Sequence, residues 1–256
     1  MKNVITETYY LALRSLKETL RIPMSIIFPI LIPLMQLLIF SQVFKNVSNL
    51  PGFTAGSYLD YQAPSIILMT VMFSAGNSAF AMILDLDTGF FDKLLLAPIS
   101  RISILLGRIS AEAIRIFAQT IFMAIIITVF IGVDNKSGVP GIVLMGILNS
   151  LFGVAYGGIF YFVALKTKNA QAAQAMFPIT FPLLFFSTAL MPKALLPDWV
   201  KTIVSANPVS YIIEAYRSLF TKGFESGPII DAVTFSIIMG IVTLSLTWHA
   251  FKKLVK

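Results

Sequence analysis

DLDTGFFDKLLLAPISRISILLGR, residues 85–108, is the stretch around which the rest of the chain is organised. It is a polar interruption between long apolar runs, in a chain of which only 12% of the residues are charged. The charged side chains in and just after it are Asp85, Asp87, Asp92, Lys93, Arg101, Arg108 and Arg115. Such a density of charge predicts that this segment lies outside the apolar phase in which the flanking runs are buried.

The same stretch has helical periodicity. Its large apolar residues recur at i, i+1, i+4 and i+5, which places them on one face of a helix: Phe90, Phe91, Leu94 and Leu95. Pro98 then ends that helix, because proline cannot continue the hydrogen-bond ladder. We predict a short helix with an exposed aromatic face that docks on another protein. The alternative is a helix that only lies on lipid headgroups.

Composition assigns the chain to the membrane class. Hydrophobic residues make up 57% of the chain, above the roughly 45–50% of soluble domains, and the mean hydropathy is +0.86. The net charge of +7 comes from cations at the ends of apolar runs and not from a basic surface with aromatic residues, so no nucleic-acid partner is expected. The absence of cysteine excludes disulfides and thiolate metal sites.

Apolar runs of about 18 residues or more predict membrane spans. We expect an all-α membrane protein in which residues 1–256 form one domain, with six transmembrane helices and an amphipathic helix at the interface. The N-terminal twenty residues are amphipathic and do not resemble a cleavable signal peptide. The predicted segments are the interfacial helix 3–21, the spans 22–44, 61–84, 111–132, 142–165, 175–196 and 229–251, the docking segment 85–108 and a broken outer segment 197–228. Pro178 and Pro182 should break the fifth span.

Polar and small residues within the spans have specific predicted roles. Asn77 should form a hydrogen bond between helices, and Glu112 should pair with Arg115 near the membrane interface. In the fourth span, Gly153 and Gly157 belong to a face of small residues that allows close helix packing.

The outer segment is too polar for a simple span and too apolar for a free loop. Prolines cut it into short pieces, and Asn207 followed by Pro208 predicts the start of a helix over 209–220. Short helices at membrane depth require cover from protein or a cavity.

The distribution of cations sets the predicted orientation. With six spans, the side that carries both termini also carries most of the lysines and arginines, including Lys252, Lys253 and Lys256 of a basic tail. Both termini and the docking segment are therefore expected to be cytoplasmic, in the plasma or inner membrane.

Several chemistries are excluded by missing motifs. The sequence contains no G-x-x-x-x-G-K-[ST], so it has no phosphate loop for ATP, and no H-E-x-x-H zinc motif. His249 is the only histidine and lies at the end of the last span, which leaves no plausible nucleophile–base pair for a hydrolase. A transporter or a scaffold remains, and its energy must come from an ion gradient or from another chain.

Two motifs resemble those of a known family. Asp87, Gly89, Leu94, Pro98, Arg101, Gly107 and Arg108 are similar to a conserved pattern after the second span of the ABC-2 type permeases, the membrane subunits of ABC exporters. NPVSYIIEAYR, residues 207–217, is similar to their Asn-Pro…Glu-Ala-x-Arg motif before the last span, which here places Asn207, Pro208, Glu214 and Arg217. The resemblance covers the whole chain and is to the drug-efflux-like branch.

The resemblance implies a coupling helix around Asp87–Pro98 that docks on a separate ATPase subunit. The residues expected to act there are Asp87, Gly89, Phe90, Phe91, Lys93, Leu94, Pro98 and Arg101. It also implies two permeases and two ATPases, with ATP and Mg²⁺ bound only by the partner, and re-entrant helices in the outer segment. The expected cargo is a hydrophobic or amphipathic compound such as a drug. Export of a glycan or lipid-linked glycan, a gradient-driven carrier or channel, and a non-transporting scaffold are the alternatives.

Overall fold

The computed structural model describes residues 3–51, 53 and 55–254. Lys256 of the basic tail, and Gly52 and Thr54 of the first loop, lie outside the described residues. All regular elements in the described part are helical. The α-helices are α1 (Val4–Leu20), α2 (Met24–Val43), α3 (Tyr58–Ser74), α4 (Asn77–Asp87), α5 (Phe90–Leu96), α6 (Arg101–Ile125, continued by a π-helical turn over Ile126–Phe130), α7 (Gly138–Thr167), α8 (Ala170–Gln174), α9 (Thr180–Phe185), α10 (Asp198–Ala206), α11 (Pro208–Thr221) and α12 (Ser226–Leu254).

Five helical stretches in the described residues are long and apolar enough to cross a membrane. They are Met24–Val43, Tyr58–Asp87, Arg101–Phe130, Gly138–Thr167 and Ser226–Leu254. They correspond to five of the six predicted spans, and the prediction of an all-helical membrane protein is confirmed.

The predicted fifth span, 175–196, is not a continuous helix, and it breaks in the region of Pro178 and Pro182 as expected. The chain forms a 3₁₀-helix over Phe177–Ile179, the six-residue α9, and a second 3₁₀-helix over Lys193–Leu195. The cause is proline at positions 178, 182 and 192, since each removes a backbone donor. The segment still runs alongside the long helices: α8 contacts α4 near one end, and near the other Tyr61 donates a hydrogen bond of 2.8 Å to the carbonyl oxygen of Thr188.

The second span is also interrupted, whereas a continuous helix over 61–84 was expected. Helix α3 ends at Ser74, and α4 begins after Gly76, whose φ of +93° is left-handed. A side chain at position 76 would meet the ring of Phe160, since a Cβ there would lie 2.8 Å from that ring. Glycine is therefore required on two counts, backbone conformation and space.

Helix α7 is packed between α6 and α12, and small residues make this possible. A Cβ on Gly153 would lie 2.5 Å from Ile116, so the prediction of close packing at Gly153 is confirmed. Gly157 was assigned wrongly, because a Cβ there would meet nothing within 4 Å. The close approach to α12 occurs at Gly158, whose carbonyl oxygen accepts a hydrogen bond of 2.9 Å from Thr247.

The amphipathic helix α1 lies against α6 and not on lipid alone. The carboxylate of Glu7 accepts hydrogen bonds of 2.8 Å from the backbone N–H of Ser100 and from the hydroxyl of Ser103, at the start of α6. The backbone around Leu11 approaches Gly107 so closely that a Cβ on that glycine would be 2.6 Å from the Cβ of Leu11. The outer apolar face of α1, which includes Ile5 at 81% exposure, is open to the surroundings.

Candidate functional site: the coupling segment and the outer motif

The short helix predicted in this segment is present as α5, and it ends before Pro98 as predicted. Gly89, with φ +67°, makes the left-handed turn that separates α4 from α5. The boundaries of the docking segment were too wide. Asp85 and Asp87 belong to the end of α4, and Arg101 to Arg108 form the first two turns of α6. Helix α6 therefore begins ten residues before the predicted third span, 111–132.

The aromatic face of α5 is not exposed, which corrects the prediction made for Phe90 and Phe91. Phe91 is only 2% exposed and makes an edge-to-face contact with Phe251 of α12, with 6.1 Å between ring centroids. Phe90 lies under the guanidinium group of Arg14, whose carbon is 3.7 Å from the ring centroid. Packing of the two aromatic rings against α1 and α12 removes their apolar surface from water. This gain favours the inward orientation of Phe90 and Phe91.

The face that α5 presents outward is formed by other residues. Leu96 is 88% exposed, and Asp92 and Lys93 are exposed beside it. Asp87, Pro98 and Arg101, on the flanking segments, are exposed as well, whereas Leu94 is half-buried. This set combines an apolar centre with charges of both signs.

Behind α5, one buried carboxylate joins three helices. Asp85, at the end of α4, accepts two hydrogen bonds of 3.0 and 3.1 Å from Arg14 of α1, and a further one from Arg108 of α6. Asp85 and Arg108 are buried, so each depends on the other for compensation of its charge. Sequence reasoning missed this cluster, because no local spacing links positions 14, 85 and 108.

The pair Glu112–Arg115 forms as predicted. Both side chains are buried. Because α6 begins at Arg101, they lie about three to four turns along it, roughly 16–21 Å from the helix start. Arg115 also donates a hydrogen bond of 3.0 Å to the carbonyl oxygen of Ser74, which is one of the acceptors freed where α3 ends.

Asn77 stands at the same break. Its side-chain amide donates a hydrogen bond of 3.4 Å to the carbonyl oxygen of Ser25 in α2, so the predicted interhelical bond is present. The break is thus held by one side chain from α6 and by one contact with α2.

The outer motif is a helix start tied to the broken fifth segment. Asn207 caps α11 by accepting a hydrogen bond of 3.0 Å from the backbone N–H of Val209, and Pro208 occupies the first turn as predicted. The amide of Asn207 donates at 2.7 Å to the carbonyl oxygen of Leu183 and at 2.6 Å to that of Phe186. These are carbonyls that α9 leaves without a helical partner at its end.

Arg217, the last residue of the outer motif, anchors the same region. It pairs with Glu214, donates a hydrogen bond of 2.8 Å to the carbonyl oxygen of Thr188, and lies 3.8 Å from the ring centroid of Tyr61. Helix α11 is largely buried, which satisfies the requirement that broken helices be covered by protein.

Comparison with known proteins agrees with this architecture. Residues 6–221 match the family described as "ABC-2 type transporter". The chain is 30% identical to the putative transport permease ycf38 of Cyanophora paradoxa, over 98% of this chain and 90% of that protein. It is 23% identical to the daunorubicin resistance ABC transporter permease protein DrrB1 of Streptomyces coeruleorubidus, over 90% of this chain and 81% of that one. It is also 23% identical to the inner membrane transport permease YadH of Escherichia coli, with 96% of each chain aligned. The chain therefore belongs to the ABC-2 type transporter family and is a membrane permease related to drug-resistance ABC transporter permeases.

Proposed function

We propose that this chain is the permease subunit of an ATP-driven exporter and that α5 is the element that contacts a separate cytoplasmic ATPase. The observation that carries the proposal is the asymmetry of α5. Its inner face is fixed by Phe90 and Phe91, and its outer face presents Leu96 beside Asp92 and Lys93. An apolar centre with a charged rim is the arrangement found in protein–protein contacts.

The test measures ATP hydrolysis by this chain assembled with a candidate ABC ATPase subunit from the same organism. We expect Leu96→Asp to abolish co-purification of the ATPase and its stimulation, because a carboxylate would be buried in the apolar centre of the contact. Leu50→Asp is the matched control, since Leu50 is another exposed leucine in a loop outside α5. If Leu96→Asp leaves both association and stimulation unchanged, α5 is not the contact surface.

In the proposed orientation, both termini and α5 are cytoplasmic, in an inner or plasma membrane. The chain then crosses six times, with the interrupted segment from α8 to Leu190 as the fifth crossing. Lys166 and Lys168 before this segment agree with a cytoplasmic side at its start. Because the natural chain has no cysteine, single cysteines at Asn169 and Lys193 can be labelled from one side at a time. Labelling of both from the same side would contradict a crossing.

We also propose that the working unit contains two copies of this permease and two ATPases. A groove of about 500 Å³ between α2, α3 and α9 is lined by exposed apolar residues, among them Phe28, Leu31 and Phe185. A cysteine at Phe185 should cross-link two copies, whereas one at the exposed Ile241 of α12 should not. If the cysteine at position 185 forms no cross-link, the two copies do not meet at this groove.

A hydrophobic or amphipathic compound is the proposed cargo, with a glycan as the alternative within the same family. A gradient-driven carrier is the second candidate function, because a broken span with a buried ion pair beside it, here Gly76 and Glu112–Arg115, also occurs in carriers. Uptake by liposomes that contain this chain alone, without ATP, would favour the carrier.

A further inference from the structure

A partly open cavity of about 620 Å³ lies beside the break in the second span. We call it the inner cavity. It is bounded by the second half of α1, by α4 and by the first half of α6. Four phenylalanine rings contribute its apolar wall: Phe73, Phe80, Phe160 and Phe177.

The polar wall of the inner cavity is cationic. The charged residues that line it are Arg108, Arg115 and Glu18. The carboxylate of Glu18 is already bonded to Arg14, at 2.6 Å. Arg108 and Arg115 are paired with Asp85 and Glu112, but neither carboxylate lines the cavity. The groups that face the cavity are therefore mainly guanidinium groups, although the ion pairs behind them are neutral overall.

Two kinds of donor lie at the break without a side-chain acceptor. Arg115 is 91% buried, and its Nε has no hydrogen-bond partner among the residues that the structure describes, although its Nη2 is used by Glu112 and Ser74. An unpaired buried donor is unfavourable, so a ligand oxygen that accepts from it would be favoured. The eleven-residue α4 begins here as well. Gly76 has no side chain to cap its first N–H groups, and the helix dipole is positive at this end.

We propose that the inner cavity binds an anionic amphiphile, with its phosphate or carboxylate head at Arg115 and the start of α4 and its apolar body along the phenylalanine wall. As the cargo site of an exporter this rests on the proposed function, because only transport makes the bound molecule a cargo. A cationic head would face two guanidinium groups and the positive end of α4. A neutral head would form weaker hydrogen bonds with the guanidinium groups than a phosphate or carboxylate would.

The test uses three probes with the same tail: dodecyl phosphate, dodecanol and dodecyltrimethylammonium. Binding is measured to the full chain in phosphatidylcholine nanodiscs, and the signal of empty nanodiscs is subtracted. We expect dodecyl phosphate to bind at least tenfold more tightly than the other two probes. Equal binding of the three, or tighter binding of the cation, would overturn the proposal.

Variants locate the head and the tail. Arg115→Gln should reduce the affinity for dodecyl phosphate to that for dodecanol, and Arg115→Lys should retain part of the difference. The double variant Glu112→Gln/Arg115→Gln removes the cation without leaving a lone buried carboxylate, so it tests the head site even if the single variant fails to fold. Lys17→Gln, at an exposed cation on α1 that does not line the cavity, is the control and should change nothing. Unchanged selectivity in the double variant would overturn the head site.

Phe80→Ala should weaken binding of all three probes by a similar factor, and no change for any probe would overturn the position of the tail.

Addition of phosphatidylglycerol to the nanodiscs then separates the sources of the anion. Competition identifies an anionic phospholipid as the occupant, and absence of competition identifies a smaller amphiphile; both results support an anionic site. No ATPase is present in these measurements, so their failure is distinct from a failure of ATPase coupling.

Discussion

Arg14 of α1 stacks on Phe90 of α5 while two of its nitrogens bond to Asp85 of α4. One side chain thereby connects the short outward-facing helix to the helix before it and to the amphipathic helix of the N-terminus. Through Glu7, α1 is also bonded to the start of α6. A displacement of α5 must therefore move α1 and α6 as well, or break the stack.

The first prediction concerns Arg14. Arg14→Ala removes both the stack and two charge-assisted hydrogen bonds, and should lower the free energy of unfolding by about 1–3 kcal/mol. Arg14→Lys should have a free energy of unfolding between those of Arg14→Ala and the natural protein. An ammonium group cannot bond Asp85 bidentately and stack on Phe90 at the same time. The measurement is denaturant unfolding in detergent micelles. Lys17→Ala, at an exposed cation of the same helix, should stay within about 0.5 kcal/mol of the natural protein.

The second prediction concerns Asp85. Asp85→Asn leaves the buried Arg108 without its carboxylate and should cost about 3–5 kcal/mol. Replacing Arg108 by Met in the same chain should restore a large part of this loss, since no lone charge then remains in the apolar interior. The coupling energy from the double-mutant cycle measures the interaction between Asp85 and Arg108. A value near zero would show that the two side chains do not stabilise each other.

The third prediction separates the two faces of α5. Phe91→Ala opens a cavity against Phe251 and should destabilise the protein by about 3–5 kcal/mol. Leu96→Ala, at a residue that is 88% exposed, should change stability by less than about 0.5 kcal/mol. The midpoints of thermal unfolding of the two purified variants, Phe91→Ala and Leu96→Ala, give the comparison. Equal destabilisation by both would mean that Leu96 packs within this chain.

The fourth prediction compares neighbouring glycines of α7. A Cβ on Gly158 would lie 2.6 Å from the Thr243 hydroxyl oxygen and 2.8 Å from its Cβ, so Gly158→Ala should cost about 1–3 kcal/mol by forcing α7 and α12 apart. Gly157→Ala meets open space and should be neutral or slightly stabilising, since alanine is the better helix former. The unfolding midpoints of the two variants give the comparison directly. A Gly158→Ala variant as stable as Gly157→Ala would show that the helices can separate without cost.

Local chemistry decided much of what the sequence could predict. Gly89 and Pro98 bound α5 because a left-handed turn and a missing N–H are properties of single residues. The same holds for Asn207 and Pro208 at the start of α11. The lengths of the apolar runs predicted the five long helices, because the thickness of a bilayer sets the length that a spanning helix must have.

The tertiary structure decided which faces are covered and where the spans break. The aromatic residues of α5 have the same periodicity whether they face a partner or α12, so only packing shows that Phe91 is buried. The bonds of Arg14 to Asp85 join positions 71 residues apart. The two glycines 157 and 158 differ only in what lies opposite them. Each of these features depends on distances between segments remote in the chain, and a periodic pattern contains no information about such distances.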